Sequence, residues 1–292
     1  LKLLFLFLLS ISFTSCHSQK KITNLAGYEV STDSITDFIK SQMDSLNIPG
    51  LSIAVINDSK VVYHQTFGFA NIEKKVPVTD KTIFEEDKKL KIKFEPGTSY
   101  EYSGEAYQYL AMVLKHIEKT DWNGLETLFQ DKIAKPLKME HTTFIPTSDI
   151  YEKKAEPYNN QREWIDWKNS YWYKKDKGKF VAASSIHSEP IDFSKWMIAL
   201  MDKKILSESS YKELLKYHSK ISTSPTGISV YYTLGFLTAD KAYSNTFFHS
   251  GDNDGFSCGY LLNTEKKFGF ILFTNSEKGN KLTDIVWNYF EK

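Results

Sequence analysis

A serine followed three positions later by a lysine is the pattern in this sequence with the clearest chemical meaning. Such a pair can supply a nucleophilic hydroxyl and the amine that activates it. The pattern occurs at residues 18–21 (SQKK) and at residues 209–212 (SSYK). The first lies in a polar N-terminal segment and the second at the start of a predicted surface helix. We therefore interpret both as chance matches in a lysine-rich chain.

The histidines and cysteines are not spaced like the ligands of a metal ion. The histidines stand at positions 17, 64, 116, 141, 187, 218 and 249, and no cysteine pair accompanies them. Structural zinc sites draw four ligands, mostly cysteine and histidine, from short regular spacings. We therefore expect no metal site and no cofactor.

Residues 157–180 are rich in aromatic side chains that lie among charged residues. These are Trp164, Trp167, Tyr171, Trp172, Tyr173 and Phe180. This composition favours a long loop whose aromatic rings pack against the body of the domain, because aromatic side chains dominate core burial. The alternative is a rim that stacks on sugar rings or on peptide beside a cleft.

The charge balance argues against a nucleic-acid partner. The 292 residues hold 37 Lys+Arg against 36 Asp+Glu, and Arg162 is the only arginine. A neutral chain without arginine forks has little with which to clamp phosphates. The length is sufficient for one large domain or two smaller ones, with a core that needs no disulfide or metal for stability.

Hydrophobic periodicity predicts an α+β fold. Helical spacing occurs in residues 34–46, 105–118, 122–133, 188–201 and 281–290, the first with a capping-box start at 34–37 (SITD). Strand patterns occur in residues 51–56, 61–69, 233–237, 246–250, 256–263 and 268–275. Because strands occur at both ends with helices between them, we expect the terminal segments to share one antiparallel sheet flanked by helices.

The N-terminal segment predicts export. Residues 1–15 combine Lys2 with an apolar stretch too short to span a bilayer, which is typical of a signal peptide. The position of Cys16 resembles the lipobox of bacterial lipoproteins, which implies lipidation of that cysteine. Residues 16–33 would then form a tether that holds the domain, residues 34–292, on a membrane of the cell envelope, in the periplasm or on the outer surface. The alternative is a plain signal peptide with an incidental cysteine.

Short motifs follow one another in a specific order along most of the chain after position 47. They are residues 48–56 (IPGLSIAVI), 67–71 (FGFAN), 78–84 (VTDKTIF), 94–98 (FEPGT), 100–105 (YEYSGE), 136–139 (PLKM), 182–185 (AASS), 232–236 (YTLGF), 249–251 (HSG) and 273–276 (FTNS). As a set they resemble the serine β-lactamase and penicillin-binding-protein superfamily, in the class C-like branch with D-alanyl-D-alanine carboxypeptidases and esterases. The resemblance implies a β-lactamase/transpeptidase-like fold and acyl transfer from D-alanyl peptides, β-lactams or esters.

The resemblance also implies roles for individual residues. Tyr102 matches the tyrosine of a Y-x-N motif that shuttles a proton, although Gly104 replaces the asparagine and Glu105 would have to supply the lost polar contact. His249 matches the start of an H-x-G strand edge that docks the substrate. The substrate contacts implied along that edge are Ser250, Gly251 and Asp252, whose backbone N–H would stabilise an oxyanion.

The third motif that the resemblance requires, S-x-x-K on a helix, is absent from its expected place. Residue 84 leads through the charged residues 85–93 (EEDKKLKIK) directly to residue 94. We interpret this as an internal shortening that removed the nucleophile and left a reduced helical region. A tyrosine has a reference pKa of about 10, so forming its phenolate at pH 7 without a nearby cation costs about 4 kcal/mol. Loss of a catalytic nucleophile typically lowers turnover by about a millionfold.

Three hypotheses remain open at this point. The leading one is an exported, lipid-anchored, β-lactamase-related serine hydrolase that is inactive or severely impaired, and monomeric. The second is a non-catalytic module of the cell envelope that binds peptidoglycan peptide or glycan. The third is a truncated product of an active hydrolase that folds poorly.

Overall fold

One nine-stranded antiparallel sheet organises the part of the chain that the computed structural model describes, namely residues 21–82, 94–95, 98–170, 173–174 and 177–291. Including a separate two-stranded sheet at the start, the strands are β1 (Lys21–Thr23), β2 (Glu29–Ser31), β3 (Gly50–Asn57), β4 (Lys60–Asn71), β5 (Val76–Pro77), β6 (Ser219–Thr223), β7 (Ser229–Tyr232), β8 (Leu237–Ala239), β9 (Thr246–Asn253), β10 (Phe256–Asn263) and β11 (Phe268–Thr274). The order across the large sheet is β5-β4-β3-β11-β10-β9-β8-β7-β6. The pairing of β3 with β11 confirms that strands from both ends of the chain share one sheet.

Helices flank this sheet, as the α+β prediction requires. Within the described residues they are α1 (Thr32–Leu46), α2 (Gly104–Ile117), α3 (Trp122–Phe129), α4 (Ser148–Lys153), α5 (Pro190–Met201), α6 (Glu208–Leu214) and α7 (Gly279–Glu291). The predicted α+β class, with an antiparallel sheet flanked by helices, is confirmed. Among the residues that the structure describes, no helix has the length and apolar character needed to cross a membrane.

The two central strands are almost continuously apolar because helices cover both faces of the sheet. Every residue of β11 is buried, and so is every residue of β3 except the last. On one face, Ile39 of α1 and Phe290 of α7 belong to the same core cluster as Phe270. On the other face, Met197 of α5 packs in a cluster with Ile271. Burial on both faces explains why these strands show an apolar run rather than an alternating pattern.

Two predicted element boundaries were wrong. The first helix is capped by Ser31, whose side chain accepts a hydrogen bond from the Ser34 backbone N–H, so the helix begins three residues earlier than the capping-box pattern indicated. Of the predicted strand at 233–237, residues 233–236 form the turn between β7 and β8, and only Leu237 lies in a strand. There the Thr233 N–H donates to the Phe236 carbonyl at 2.8 Å, and Gly235 adopts a positive φ of 115°. An apolar stretch was mistaken for a strand because its glycine permits a tight turn.

The helix α2 forms where the periodicity predicted it, but its apolar face is not covered. Only Ala111 of this helix is buried. The large apolar residues that remain exposed are Tyr109, Leu110, Met112, Val113, Leu114 and Ile117. Between 39% and 68% of the surface of each is exposed to solvent. The predicted helical face at 107, 110, 111, 114 and 117 therefore has the correct spacing, but of these residues only Ala111 is buried.

Residues 21–31, which the predicted tether at 16–33 includes, pack against the domain. Lys21–Thr23 pairs with Glu29–Ser31 in the small sheet. Ile22 is fully buried in the core cluster formed by α1, α7 and the large sheet. The Leu25 N–H donates to the Phe290 carbonyl at 2.8 Å, which fastens the segment to the last helix. Residues 1–20, including Cys16, lie outside the described residues.

Replacing the buried Ile22 tests whether this segment is structural. Ile22→Ala is expected to lower the free energy of unfolding by about 2–5 kcal/mol, since it removes a fully buried side chain and leaves a cavity. The exposed neighbour Thr23 makes its hydrogen bonds through its backbone, so Thr23→Ala is the matched control and should change stability by less than about 0.5 kcal/mol. Denaturant unfolding of both variants decides the point. Equal stabilities would restore the tether interpretation.

Candidate functional site

The C-terminal half of β9 has one strand edge without a partner strand among the described residues. The register pairs β8 with β9 only at Phe248 and Phe247. On its other side β9 is paired with β10 along its whole length. Residues 249–253 therefore present one edge that no strand of the described part occupies. Such an edge exposes backbone N–H and C=O groups that can pair with an extended peptide.

The structure brings the two candidate catalytic residues together at the start of this edge. Tyr102 immediately precedes Ser103, the N-cap of α2. Its ring centroid lies 5.6 Å from that of His249 and 6.4 Å from that of Tyr232 at the end of β7. The Tyr102 side chain is half exposed, so it faces both the solvent and this wall. The catalytic role of Tyr102 and His249 stays a prediction.

A chain of hydrogen bonds orients His249. The Ser250 carbonyl lies 2.7 Å from Nδ1 of His249, and a carbonyl can only accept, so Nδ1 carries the ring proton. In the neutral ring Nε2 is then an acceptor, and it receives a hydrogen bond from the Tyr232 hydroxyl at 2.9 Å. The Tyr232 oxygen in turn lies 3.2 Å from the hydroxyl of Tyr107 on α2, which donates to it. One directed chain thus runs from Tyr107 through Tyr232 to His249.

Burial keeps this network uncharged at neutral pH. Desolvation lowers the pKa of His249, and the hydrogen bond to the Ser250 carbonyl opposes this shift only in part. Desolvation, reinforced by the nearby Tyr107, raises the pKa of Tyr232 far above its ordinary value. Burial also raises the pKa of Tyr100, whose ring lies 5.3 Å from that of Tyr232, to about 12. His249 can accept a proton here, but neither Tyr100 nor Tyr232 is a phenolate.

The other predicted substrate contacts, Ser250, Gly251 and Asp252, differ from one another in exposure to solvent. Ser250 and Asp252 are exposed on β9, while Gly251 between them is buried. The Asp252 carboxylate accepts a hydrogen bond from the Ser257 hydroxyl at 2.8 Å and another from the Asn280 side chain of α7. Its side chain is therefore held on the α7 side of the sheet, and only its backbone remains for the predicted role in the cleft.

Glu105 lies in the first turn of α2, three residues after Tyr102. Its Oε2 atom is shut off from solvent and has no hydrogen-bond partner within the part of the chain that the structure describes. A buried acceptor without a donor is costly, so the atom is suited to a donor brought by a ligand or a water. Its predicted role as a substitute for the missing asparagine stays a prediction.

Neither S-x-x-K string lies in a catalytic setting that the structure describes. Ser209 and Lys212 are both exposed on the short surface helix α6. Ser18 and the shortened segment from 83 to 93 lie outside the described residues.

Tyr232 and its partner Tyr107 are the site residues that sequence reasoning missed. Tyr232 was visible only as the first letter of the motif at 232–236, and Tyr107 only as part of a helical stripe. The usable signal was the clustering of Tyr100, Tyr102 and Tyr107 within eight positions beside one motif.

Three residues with possible metal-ligating atoms cluster at the N-terminus of α5, where their hydrogen bonds stabilise the helix. Ligand atoms of His141, Glu189 and Asp192 lie within 4.8 Å of one another. The Glu189 carboxylate, however, accepts hydrogen bonds from the backbone N–H groups of Ile191 and Asp192, which caps the helix. Asp192 pairs with the Lys195 ammonium at 2.5 Å. The oxygen lone pairs are thus committed to the helix and to a cation, which fits a structural network.

The aromatic segment at 157–180 is fastened to the domain in part by its rings, and its alternative role as a ligand-stacking rim stays a prediction. Trp167 and Phe180 are buried, as the loop-fastening interpretation predicts, whereas Trp164 is 45% exposed. Both indole N–H groups, of Trp164 and Trp167, donate to one carboxylate oxygen of Glu156 at 2.9 and 2.8 Å. Tyr171 and Trp172 lie outside the described residues.

Comparison with known families now identifies the fold. The model of the beta-lactamase family matches residues 35–85 and 88–288, most of the chain. The chain belongs to the beta-lactamase family. This membership confirms the predicted family resemblance. The match does not test the predicted internal shortening.

Curated relatives of this beta-lactamase-family chain are longer proteins. A Bacillus subtilis (strain 168) protein, named as the penicillin-binding protein PbpX, is 28% identical over 219 residues, which is 74% of this chain and 50% of the relative. Protein flp of Staphylococcus aureus (strain MW2) is 27% identical over 183 residues, 62% of this chain and 34% of the relative. The chain therefore spans only half or less of the length of these relatives.

Solved structures share the fold of this family member. The octameric penicillin-binding protein homologue from Pyrococcus abyssi gives a TM-score of 0.67 at 16% identity, covering 85% of this chain and 74% of that one. The D-alanine carboxypeptidase AmpC from Burkholderia cenocepacia gives 0.65 at 14% identity, covering 84% and 94%. At these identities the likeness establishes the fold alone.

The state of His249 gives a direct test of the site. Because burial lowers its pKa, the ring should titrate below pH 6.5, with the proton of the neutral form on Nδ1. Nitrogen-15 NMR of the histidine rings measures both, and His249→Gln identifies the signal. Tyr232→Phe removes the donor to Nε2 and should shift that resonance. Tyr231→Phe is the control, because the Tyr231 ring stacks on Tyr217 instead. A midpoint above 6.5 or a proton on Nε2 would contradict the geometry.

Proposed function

We propose that this chain is a substrate-binding member of the beta-lactamase family that has lost acylation. It binds D-alanyl peptides or related acyl compounds along the free edge of β9, with Tyr102 and His249 at the reacting end. It does not form a covalent acyl-enzyme, because its sequence lacks an S-x-x-K segment where the family carries the nucleophile.

The observation that carries the binding half of this proposal is the free edge beginning at His249. Extended peptides gain affinity by pairing their backbone with such an edge. The neutral ring of His249 and the half-exposed phenol of Tyr102 add polar groups beside it. A wall of this kind retains a substrate without needing a nucleophile, since docking and chemistry rest on different residues.

Two observations support the loss of acylation. Only nine residues, all but two of them charged, separate positions 84 and 94, which leaves no room for a buried helix of ordinary length. In addition, α2 exposes six large apolar side chains on the element that follows directly. An exposed apolar surface of this kind marks a face made for contact, and we infer that the element it contacted was the helix that carried the nucleophile. The same surface also supports the alternative that the chain derives from a longer, active hydrolase.

Covalent labelling tests the proposed loss. Purified protein incubated with a fluorescent penicillin should carry no label that survives denaturation, since loss of the nucleophile lowers acyl transfer by about a millionfold. Protein denatured before incubation controls for non-specific labelling, and Ser209→Ala controls for the exposed S-x-x-K string. A stable label that peptide mapping assigns to a serine would refute the proposal.

A further inference from the structure

A cavity lies at the far end of the free edge. It has a volume of about 100 Å³ and is lined in part by Asn253 and Asp254, where β9 ends. Its deeper wall includes Lys154, Trp167 and His187. A volume of this size holds several waters or one small polar group. None of the residues that form the Tyr102 and His249 wall lines it.

A buried lysine forms the floor of this cavity. Lys154 is only 8% exposed, and its ammonium lies 4.2 Å from the ring centroid of Trp167 and 5.3 Å from that of Phe256. The two ring faces offset part of the cost of burying the charge. Burial nevertheless lowers the pKa of Lys154 to about 7, against the opposing effect of the nearby Glu156. An anion in the cavity would stabilise the charged amine further.

The charges that line the cavity are mainly positive. Besides Lys154 they include Lys177 and Lys179 at the rim, against the single carboxylate of Asp254. His187 contributes no charge at neutral pH, because burial, with the repulsion of Lys154, lowers its pKa to about 3. Ser184 lines the same space with a hydroxyl group. The lining therefore suits a small anionic group that also accepts hydrogen bonds, such as a carboxylate.

We propose that this cavity binds a carboxylate carried by the acyl part of a D-alanyl peptide docked on β9. This inference rests on the proposed function. Residues 249–253 span about 13 Å at 3.3 Å per residue, which is the distance from the reacting end to the cavity. The leaving group of a D-alanyl-D-alanine substrate is a single residue and is too short to cover that span. Only the acyl part of the substrate can reach Lys154.

A matched pair of peptides tests this assignment. Calorimetry should show that N-acetyl-Glu-Ala-D-Ala-D-Ala binds at least tenfold more tightly than N-acetyl-Gln-Ala-D-Ala-D-Ala, since only the first carries a side-chain carboxylate, and the added alanine lets that carboxylate span about 13 Å from the reacting carbonyl. Lys154→Met should abolish the difference. Because Lys154 is buried and its replacement can cause misfolding, a second variant changes the rim instead. The double variant Lys177→Gln/Lys179→Gln should reduce the preference for the Glu peptide over the Gln peptide. Lys174→Gln, an exposed lysine of the same segment outside the cavity lining, should leave it unchanged. Equal affinity of the wild-type protein for both peptides overturns the inference.

A smaller probe separates this inference from the proposed function. Benzoate, but not benzamide, should shift the indole N–H resonance of Trp167 in the wild-type protein, and Lys154→Met should remove the shift. If benzoate binds in this way while neither peptide does, the carboxylate site stands and the peptide assignment falls with the proposed function. If both peptides bind equally and benzoate leaves Trp167 unshifted, the cavity assignment is overturned and the proposed function stands.

Discussion

The hydrogen bond from the Tyr232 hydroxyl to Nε2 of His249, at 2.9 Å, is the contact on which the candidate site depends. It joins the end of β7 to the free half of β9 across the short strand β8, and Tyr107 ties α2 to the same oxygen. Because a partly buried polar group without a partner is costly, each member fixes the orientation of the next. The wall is therefore ordered before any substrate arrives. It is also uncharged, because burial suppresses ionisation of both Tyr232 and His249.

An ordered and neutral wall explains why binding and catalysis can separate in this fold. Docking on β9 requires only its unpaired backbone and the side chains already placed beside it. Acyl transfer requires in addition a nucleophile and a cation that lowers the barrier to moving its proton. In the sequence, only the charged residues 85–93 stand where the family resemblance places these groups, and we propose that the nucleophile segment was lost there. The apolar side chains that α2 exposes are consistent with the proposed loss.

The features that the sequence predicted are those governed by local pattern. The central strands were recognisable because β3 and β11 are apolar runs of strand length, and the hairpin of β3 and β4 because a polar turn separates such runs. Ordered motifs singled out Tyr102 and His249, and the structure places their rings side by side. The pairing of Tyr232 with His249 was not predictable, because residues 17 positions apart meet only through the register of three strands. Burial of Ile22 and exposure of Leu110 were missed for the same reason, since both depend on which distant element covers them.

Binding without turnover is the central claim, and one measurement tests it most directly. Purified protein should be saturated with N-acetyl-Glu-Ala-D-Ala-D-Ala in a calorimeter, and the same sample then assayed for free D-alanine by mass spectrometry. We expect a saturable heat of binding that weakens in His249→Ala, together with peptide that remains intact over many hours. Release of D-alanine in molar excess over the protein, abolished by replacement of a single serine, would contradict it.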